Sequence, residues 1–142
     1  KRLERYDFLR ALMSDQVPES IILTKCVLDE FNKQLNVPSV DNSNPPKYIT
    51  YNCNYISEGV YARNLRLCRQ IESPLCYGES LLQDNIDEVV NFSKNNYKKG
   101  IYAPRLQQVA EAYYTGILRY SMSLKQRKEM ELYDKVFQMP IF

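Results

Sequence analysis

Apolar side chains recur every three or four residues along most of the chain, and this spacing is typical of one face of an α-helix. It predicts a first helix over residues 1 to 14 and a second helix that begins near Pro18 and continues to Leu35. Pro18 suits a first helical turn because the N–H group that proline lacks has no partner there, and Glu19 complements the helix dipole.

The same periodicity predicts three more helices. The third covers about residues 57 to 72 and stops at Ser73-Pro74, because the residue before a proline avoids the α conformation. The fourth covers about residues 79 to 97. The fifth begins at Pro104 and is expected to reach about residue 137, with a kink near Gly116 or Ser121.

Two segments depart from the helical pattern. Residues 36 to 47 are rich in Pro, Asn and Ser and contain few side chains to bury, which is typical of a long surface loop. Residues 48 to 53 combine aromatic and β-branched side chains, so a short extended segment is expected there.

These patterns together predict an all-α fold, a compact bundle of about five helices with one long Pro/Asn/Ser loop. The 142 residues are enough for one domain, and 44% hydrophobic residues can fill one core. With only 4 glycines, folds that need many tight hairpins are disfavoured. Because the chain starts with Lys1 rather than Met, we interpret residues 1–142 as a single helical domain excised from a longer protein.

The residue types argue against catalysis. The chain has no histidine, which excludes Ser-His-Asp and Cys-His nucleophiles and histidine metal ligands. It also has no glycine-rich phosphate loop, so we expect no enzyme activity, no cofactor and no metal. The best alternative centre is a group of carboxylates on the fourth helix, Asp84, Asp87 and Glu88, which we interpret as a solvated helix face.

Four cysteines are present, at positions 26, 53, 68 and 76, and none forms a C-x-x-C pair. A core of this size does not need covalent staples, so we expect free thiols; two disulfides remain the alternative in an oxidising compartment.

The charge distribution is uneven although the net charge is only +2. Residues 94 to 128 contain eight basic side chains, one acidic side chain and several tyrosines. Basic and aromatic side chains together are what a nucleic-acid strand needs for phosphate pairing and base stacking. The candidate residues for binding nucleic acid or an acidic partner are Arg63, Arg66, Arg69, Lys94, Lys98, Lys99, Arg105 and Arg119. Alternatively, these charges are solvated or paired with acidic side chains, or they face membrane phosphates.

The C-terminal segment is apolar and uncharged from residue 136 onward. Such a segment is expected to dock on its own core or on a partner. The candidate interface residues are Val136, Phe137, Ile141 and Phe142.

The leading hypothesis is therefore a non-catalytic helical protein-protein interaction module, a scaffold within a larger intracellular assembly, whose partner is another protein or a second copy of the chain. Twelve tyrosines favour it, because tyrosine is enriched in interface cores. The alternative is a nucleic-acid-binding helical domain that uses the basic, Tyr-rich residues. No apolar run is long enough to cross a bilayer, and the sequence does not distinguish cytoplasm from nucleus.

Limited proteolysis should cut first between Val37 and Lys47, because few apolar side chains anchor this segment and its backbone is expected to be solvated. Mass spectrometry of the first fragments identifies the site. First cuts within residues 80 to 125 would contradict the predicted helices.

Overall fold

The computed structural model describes residues 2–40, 42–81, 85–94 and 103–122, together with 125, 126, 128 and 129. The helices and strands of these residues are α1 (Arg2–Met13), α2 (Gln16–Leu35), α3 (Lys47–Asn52), β1 (Cys53–Ser57), β2 (Val60–Arg63), α4 (Arg66–Gln70), α5 (Ile86–Ser93) and α6 (Pro104–Ser121).

The core lies between α2 and α6. Val27, Phe31 and Leu35 recur at four-residue intervals on one side of α2 and are buried against Ala112 of α6. The ring of Tyr113 meets Phe31 edge-on, with centroids 4.9 Å apart. Burial of these side chains makes the α2–α6 pair the main apolar contact of the described residues.

The two helices approach each other most closely at Gly116. A Cβ atom added to this glycine would lie 2.6 Å from the Cα atom of Val27, well inside normal van der Waals contact. Gly116 is therefore required by the packing of two helix backbones rather than by its own backbone conformation.

Three predicted helices begin where the sequence signals placed them. The first helix is confirmed as α1, the second is confirmed as α2 and the fifth begins at Pro104, the first residue of α6. Asn36 ends α2 in the left-handed conformation, with φ of 52°, which asparagine adopts more readily than most residues.

Strands β1 and β2 form an antiparallel hairpin, with Cys53 opposite Arg63 and Tyr55 opposite Tyr61. The turn depends on Gly59, whose φ of +69° disfavours any side chain. A Cβ atom there would also lie 2.6 Å from Cδ2 of Leu28, so the turn packs directly against α2.

The hairpin shows that the predicted all-α fold is wrong, since the described residues combine a helical framework with a two-stranded antiparallel sheet. The predicted third helix, over residues 57 to 72, is in fact the end of β1, the turn, β2 and the short helix α4. Val60 is buried, and its strand forms by pairing with β1, which the local spacing of apolar residues does not reveal.

The extended segment expected over residues 48 to 53 is also wrong for most of its length, because Lys47–Asn52 form α3 and the strand begins only at Cys53. Pro46 precedes the helix, and its carbonyl accepts hydrogen bonds from the N–H groups of Ile49 and Thr50. Tertiary burial of Ile49 outweighs the β preference of its neighbours.

The fourth predicted helix is too long within the described residues, and the fifth is interrupted rather than continuous. Residues 79 to 81 are not helical, and α5 begins at Ile86, where Asn85 caps it by accepting a hydrogen bond from the N–H of Glu88 at 3.2 Å. Helix α6 ends at Ser121, next to the expected kink, because Met122 is extended, and the described residues 125, 126, 128 and 129 are helical again. Residues 82–84, 95–102 and 130–142 lie outside the described residues.

Polar side chains join α1 and α2 to the segment that contains α4. A guanidinium nitrogen of Arg10 donates a 2.9 Å hydrogen bond to the carbonyl of Arg69. The side-chain amide of Gln16 donates to the carbonyls of Cys68 and Ile71. Since Gln16 is buried, these bonds satisfy backbone acceptors that water reaches poorly.

Replacing Gly116 with alanine should lower the free energy of unfolding by about 1–3 kcal/mol, because the added methyl group pushes the backbones of α2 and α6 apart. Urea denaturation measures the change. The control is Gln107→Ala, an exposed position on the same helix, which should change stability little. A Gly116→Ala protein that gained stability, as an unpacked helix would, would contradict the close crossing.

Candidate functional site

Two of the predicted basic residues, Arg105 and Arg119, form ion pairs that join helices of the fold. Arg105, in the first turn of α6, donates a 2.9 Å hydrogen bond from Nε to Glu88 and a 3.2 Å bond to the carbonyl of Leu35. Its second contact with Glu88 completes a two-pronged ion pair. Arg105 therefore joins the start of α6 to α5 and to the end of α2, and its charge is already compensated.

Arg119 lies deeper still. Its side chain is only 8% exposed, and its Nε lies 2.7 Å from a carboxylate oxygen of Glu30, which is 5% exposed. Glu30 also accepts a 2.7 Å hydrogen bond from Gln34. This buried pair lies one helical turn from the close crossing at Gly116. Because both side chains are buried, Arg119 is not exposed to a phosphate group in solution.

The other basic candidates are distributed differently. Arg63 and Arg66 are exposed and pair with no carboxylate among the described residues, whereas Arg69 donates a 2.6 Å hydrogen bond to the side chain of Asn64. Lys94 is exposed at the end of α5 and donates to Asn91. Lys98 and Lys99 lie outside the described residues, so their role in binding remains a prediction.

The apolar C-terminal candidates, Val136, Phe137, Ile141 and Phe142, likewise lie outside the described residues. Among the carboxylates, Asp84 is not described, Asp87 is exposed, and Glu88 is occupied by Arg105. No group of three or more potential metal ligands occurs within the parts of the chain that the structure describes.

Helix α1 is amphipathic with its apolar side facing outward. At 100° per residue its exposed large side chains occupy one arc of about 160°. They are Tyr6, Phe8, Leu9, Leu12 and Met13, of which Met13 is 86% exposed. The opposite side carries Ala11, which is buried, and Arg10, which bonds to the backbone near α4.

Helices α5 and α6 also expose apolar side chains, although Val109 and Tyr113 of α6 pack against the core. On α5 the exposed side chains are Ile86, Val89 and Val90, while Glu88 points to Arg105. On α6 the exposed side chains are Tyr114, Ile117 and Leu118, while the buried positions are Ala112, Gly116 and Arg119. We call the exposed side chains of α1, α5 and α6 the outward apolar surface.

Sequence reasoning missed this surface because periodicity shows which residues share a helix face but not which way that face points. One signal was available: small or charged residues opposite each apolar stripe, such as Ala11 and Gly116, permit close contact on that side.

A cavity of about 400 Å³ separates α2 from the hairpin. Its walls come from α2, α3, both strands and residues 75 to 81. Apolar walls include Val17, Ile21, Ile49, Val60 and Leu75.

Several polar groups at this cavity already have partners. Ser20 donates a 2.6 Å hydrogen bond to the carbonyl of Gln16 and accepts a 3.0 Å bond from the N–H of Leu75. The hydroxyl of Tyr61 donates a 2.7 Å bond to Asn42. The hydroxyls of Ser20 and Tyr61 are therefore occupied, whereas the buried Oε1 of Gln16 in the same lining has no partner among the described residues.

No disulfide joins Cys26, Cys53, Cys68 or Cys76 in this structure, and each is half-buried; free thiols in the isolated protein stay a prediction. Burial raises the pKa of the Cys76 thiol, and a hydrogen bond with Thr24 acts in the opposite direction. The thiolate of Cys76 is thus disfavoured near neutral pH, which does not suit an activated nucleophile.

The chain matches no known family of proteins, no curated protein and no solved structure. Among the described residues, no helix combines the length and the hydrophobicity needed to cross a bilayer.

Breaking the Glu30–Arg119 pair should destabilise the protein strongly. Glu30→Gln leaves a buried guanidinium without its carboxylate, and we expect a loss of about 3–5 kcal/mol in the free energy of unfolding. Because two apolar side chains bury no charge, the double variant Glu30→Leu/Arg119→Met should recover most of that loss. Urea denaturation of the three proteins tests the pair. An equal loss in the free energy of unfolding for Glu30→Gln and for the double variant would contradict the prediction, because the unpaired buried charge would then not be the cause of the loss.

Proposed function

We propose that this protein is a non-catalytic helical module that binds another protein in an intracellular assembly through its outward apolar surface. The observation that carries the proposal is the apolar side that α1, α5 and α6 each expose. The most buried positions of α1 and α6 are small or charged residues, while large apolar side chains of all three helices face outward.

Isolated exposed apolar residues are normal on protein surfaces, so the arrangement matters more than the number. On α1, Tyr6, Leu9 and Met13 lie on successive turns, and Phe8 and Leu12 lie beside them. A continuous apolar stripe of this kind is costly to keep in water and marks an interaction site. It is the side of an amphipathic helix that a groove or a second helix would cover.

The chemistry of the stripe favours a protein partner. Tyr, Phe, Leu and Met are residues of interface cores, and Arg5 is an exposed charge beside them that suits a polar rim. None of the five side chains that form the stripe on α1 is basic, and exposed Arg5, which lies in the same arc, offers only one cation to a phosphate backbone.

The nucleic-acid alternative depends on fewer residues than the sequence suggested. Arg105 and Arg119 are paired with Glu88 and Glu30. Exposed Arg63 and Arg66 are the observation that favours it. Both functions can be tested with one set of variants.

Leu9→Asp/Leu12→Asp should abolish partner binding, because it places two charges in the middle of the α1 stripe. Affinity purification from source-cell extract, followed by quantitative mass spectrometry, compares wild type, this variant and the matched control Gln70→Asp/Gln107→Asp. The control adds the same charge at exposed polar positions. A partner should be retained by wild type and control and lost, by at least tenfold, with the α1 variant. Circular dichroism checks that helix content is unchanged.

Loss of the same partner from the control would contradict the assignment to α1. Sedimentation of purified wild type and α1 variant distinguishes a second copy of the chain from a different protein. If bound RNA is recovered instead, and Arg63→Gln/Arg66→Gln removes it in a salt-dependent way, the nucleic-acid alternative replaces the proposal.

A further inference from the structure

The cavity between α2 and the hairpin has the size of a small-molecule site. Its volume of about 400 Å³ falls within the range of cavities that enclose drug-sized ligands. It lies apart from the apolar side chains of α1, α5 and α6, none of which lines it. It therefore calls for an explanation separate from protein binding.

Water is poorly bonded along the apolar part of this cavity's wall, whereas the buried Oε1 of Gln16, also in the lining, has no partner among the described residues. A water molecule in a protein interior normally makes two to four hydrogen bonds. Here Ser20 and Tyr61 bond to other protein groups, while Ile21, Val60 and Leu75 offer no hydrogen bond at all. An apolar ligand would replace poorly bonded water and bury the walls, which is the usual source of affinity in such sites.

The walls also continue beyond this cavity. A second cavity of about 160 Å³ shares Thr24, Val40, Gly59, Tyr77 and Glu79 with the first. It extends toward Phe31 and Tyr113 of the α2–α6 core. Together the two cavities suit an elongated ligand rather than a compact one.

One charged group at the wall indicates the polar end of the ligand. Arg63 ends β2, lines the cavity and is exposed, and it pairs with no carboxylate among the described residues. Arg66 and Arg69 follow in α4 and add to the positive potential at this end. Among the described residues of the lining, Glu79 is the one acidic side chain, and it also borders the second cavity.

From these observations we infer that the cavity binds an amphipathic carboxylate, with the apolar chain between α2 and the hairpin and the carboxylate on Arg63. The guanidinium group suits this role because its planar donors match the two oxygens of a carboxylate. The inference does not depend on the protein-binding role.

Isothermal titration with decanoate, decanol and decylamine tests the inference on the full chain. Decanoate should bind at one site, about fivefold more tightly than decanol, since an accessible charge pair contributes about that factor. Decylamine should bind more weakly than either. Arg63→Gln should weaken decanoate about fivefold and leave decanol unchanged, whereas Glu79→Gln should not weaken decanoate.

Two variants that fill the cavity show where the ligand lies. Ala62→Leu and Ile21→Phe each add volume from opposite walls, and each should reduce decanoate binding at least tenfold. Leu9→Asp/Leu12→Asp should bind decanoate like wild type, which separates the cavity from the outward apolar surface. Circular dichroism shows whether each variant retains its fold. If only one of the two cavity-filling variants folds, its binding of decanoate is sufficient to test the inference.

Several results would overturn the inference. They are no binding of decanoate, equal binding of decylamine, no effect of Arg63→Gln, and unchanged binding in both folded cavity-filling variants. Loss of decanoate binding in the α1 variant would place the ligand on the exposed helix instead.

Discussion

The close crossing of α2 and α6 is the contact on which the rest of the structure depends. Gly116 brings the two backbones together at Val27, and the buried Glu30–Arg119 pair holds the next turn. The crossing fixes the side of α6 that faces α2, so Ile117 and Leu118 must face away from it. One glycine thus determines both the core and the apolar side chains that the core leaves exposed.

Arg105 extends this framework to a third helix. By bonding to Glu88 and to the carbonyl of Leu35, it fixes α5 beside the junction of α2 and α6. The charge of Glu88 is then directed inward, and the apolar side of α5 turns outward. The ion pair of Glu88 and the half-buried Phe92, one turn away, therefore lie on the inward side of this helix, while Ile86, Val89 and Val90 stay exposed.

Part of the fold could be predicted from the sequence. Pro18 and Pro104 carry local signals that correctly indicated the first turns of α2 and α6, because proline acts through its own backbone. The hairpin was missed because the Glu58-Gly59 turn resembles none of the common two-residue hairpin signals, and its formation depends on packing of Gly59 against Leu28.

The candidate site was harder to predict than the helices. The basic residues were counted correctly, but the partners of Arg105 and Arg119 lie far from them along the chain, in α5 and α2. Sequence spacing could not reveal those pairs, nor could it show that α1 turns Ala11 inward. Both facts follow from tertiary contacts alone.

The pairing of α2 with α6 also affects how the chain folds during synthesis. The hydrogen bond from Tyr120 to Glu19 joins residues 101 positions apart, and the apolar side of α2 has no cover until α6 has been made. At about 5–20 residues per second, that side of α2 waits several seconds in the nascent chain. During this interval Val27, Phe31 and Leu35 stay exposed in the nascent chain, and they are buried only when α6 emerges and packs against α2.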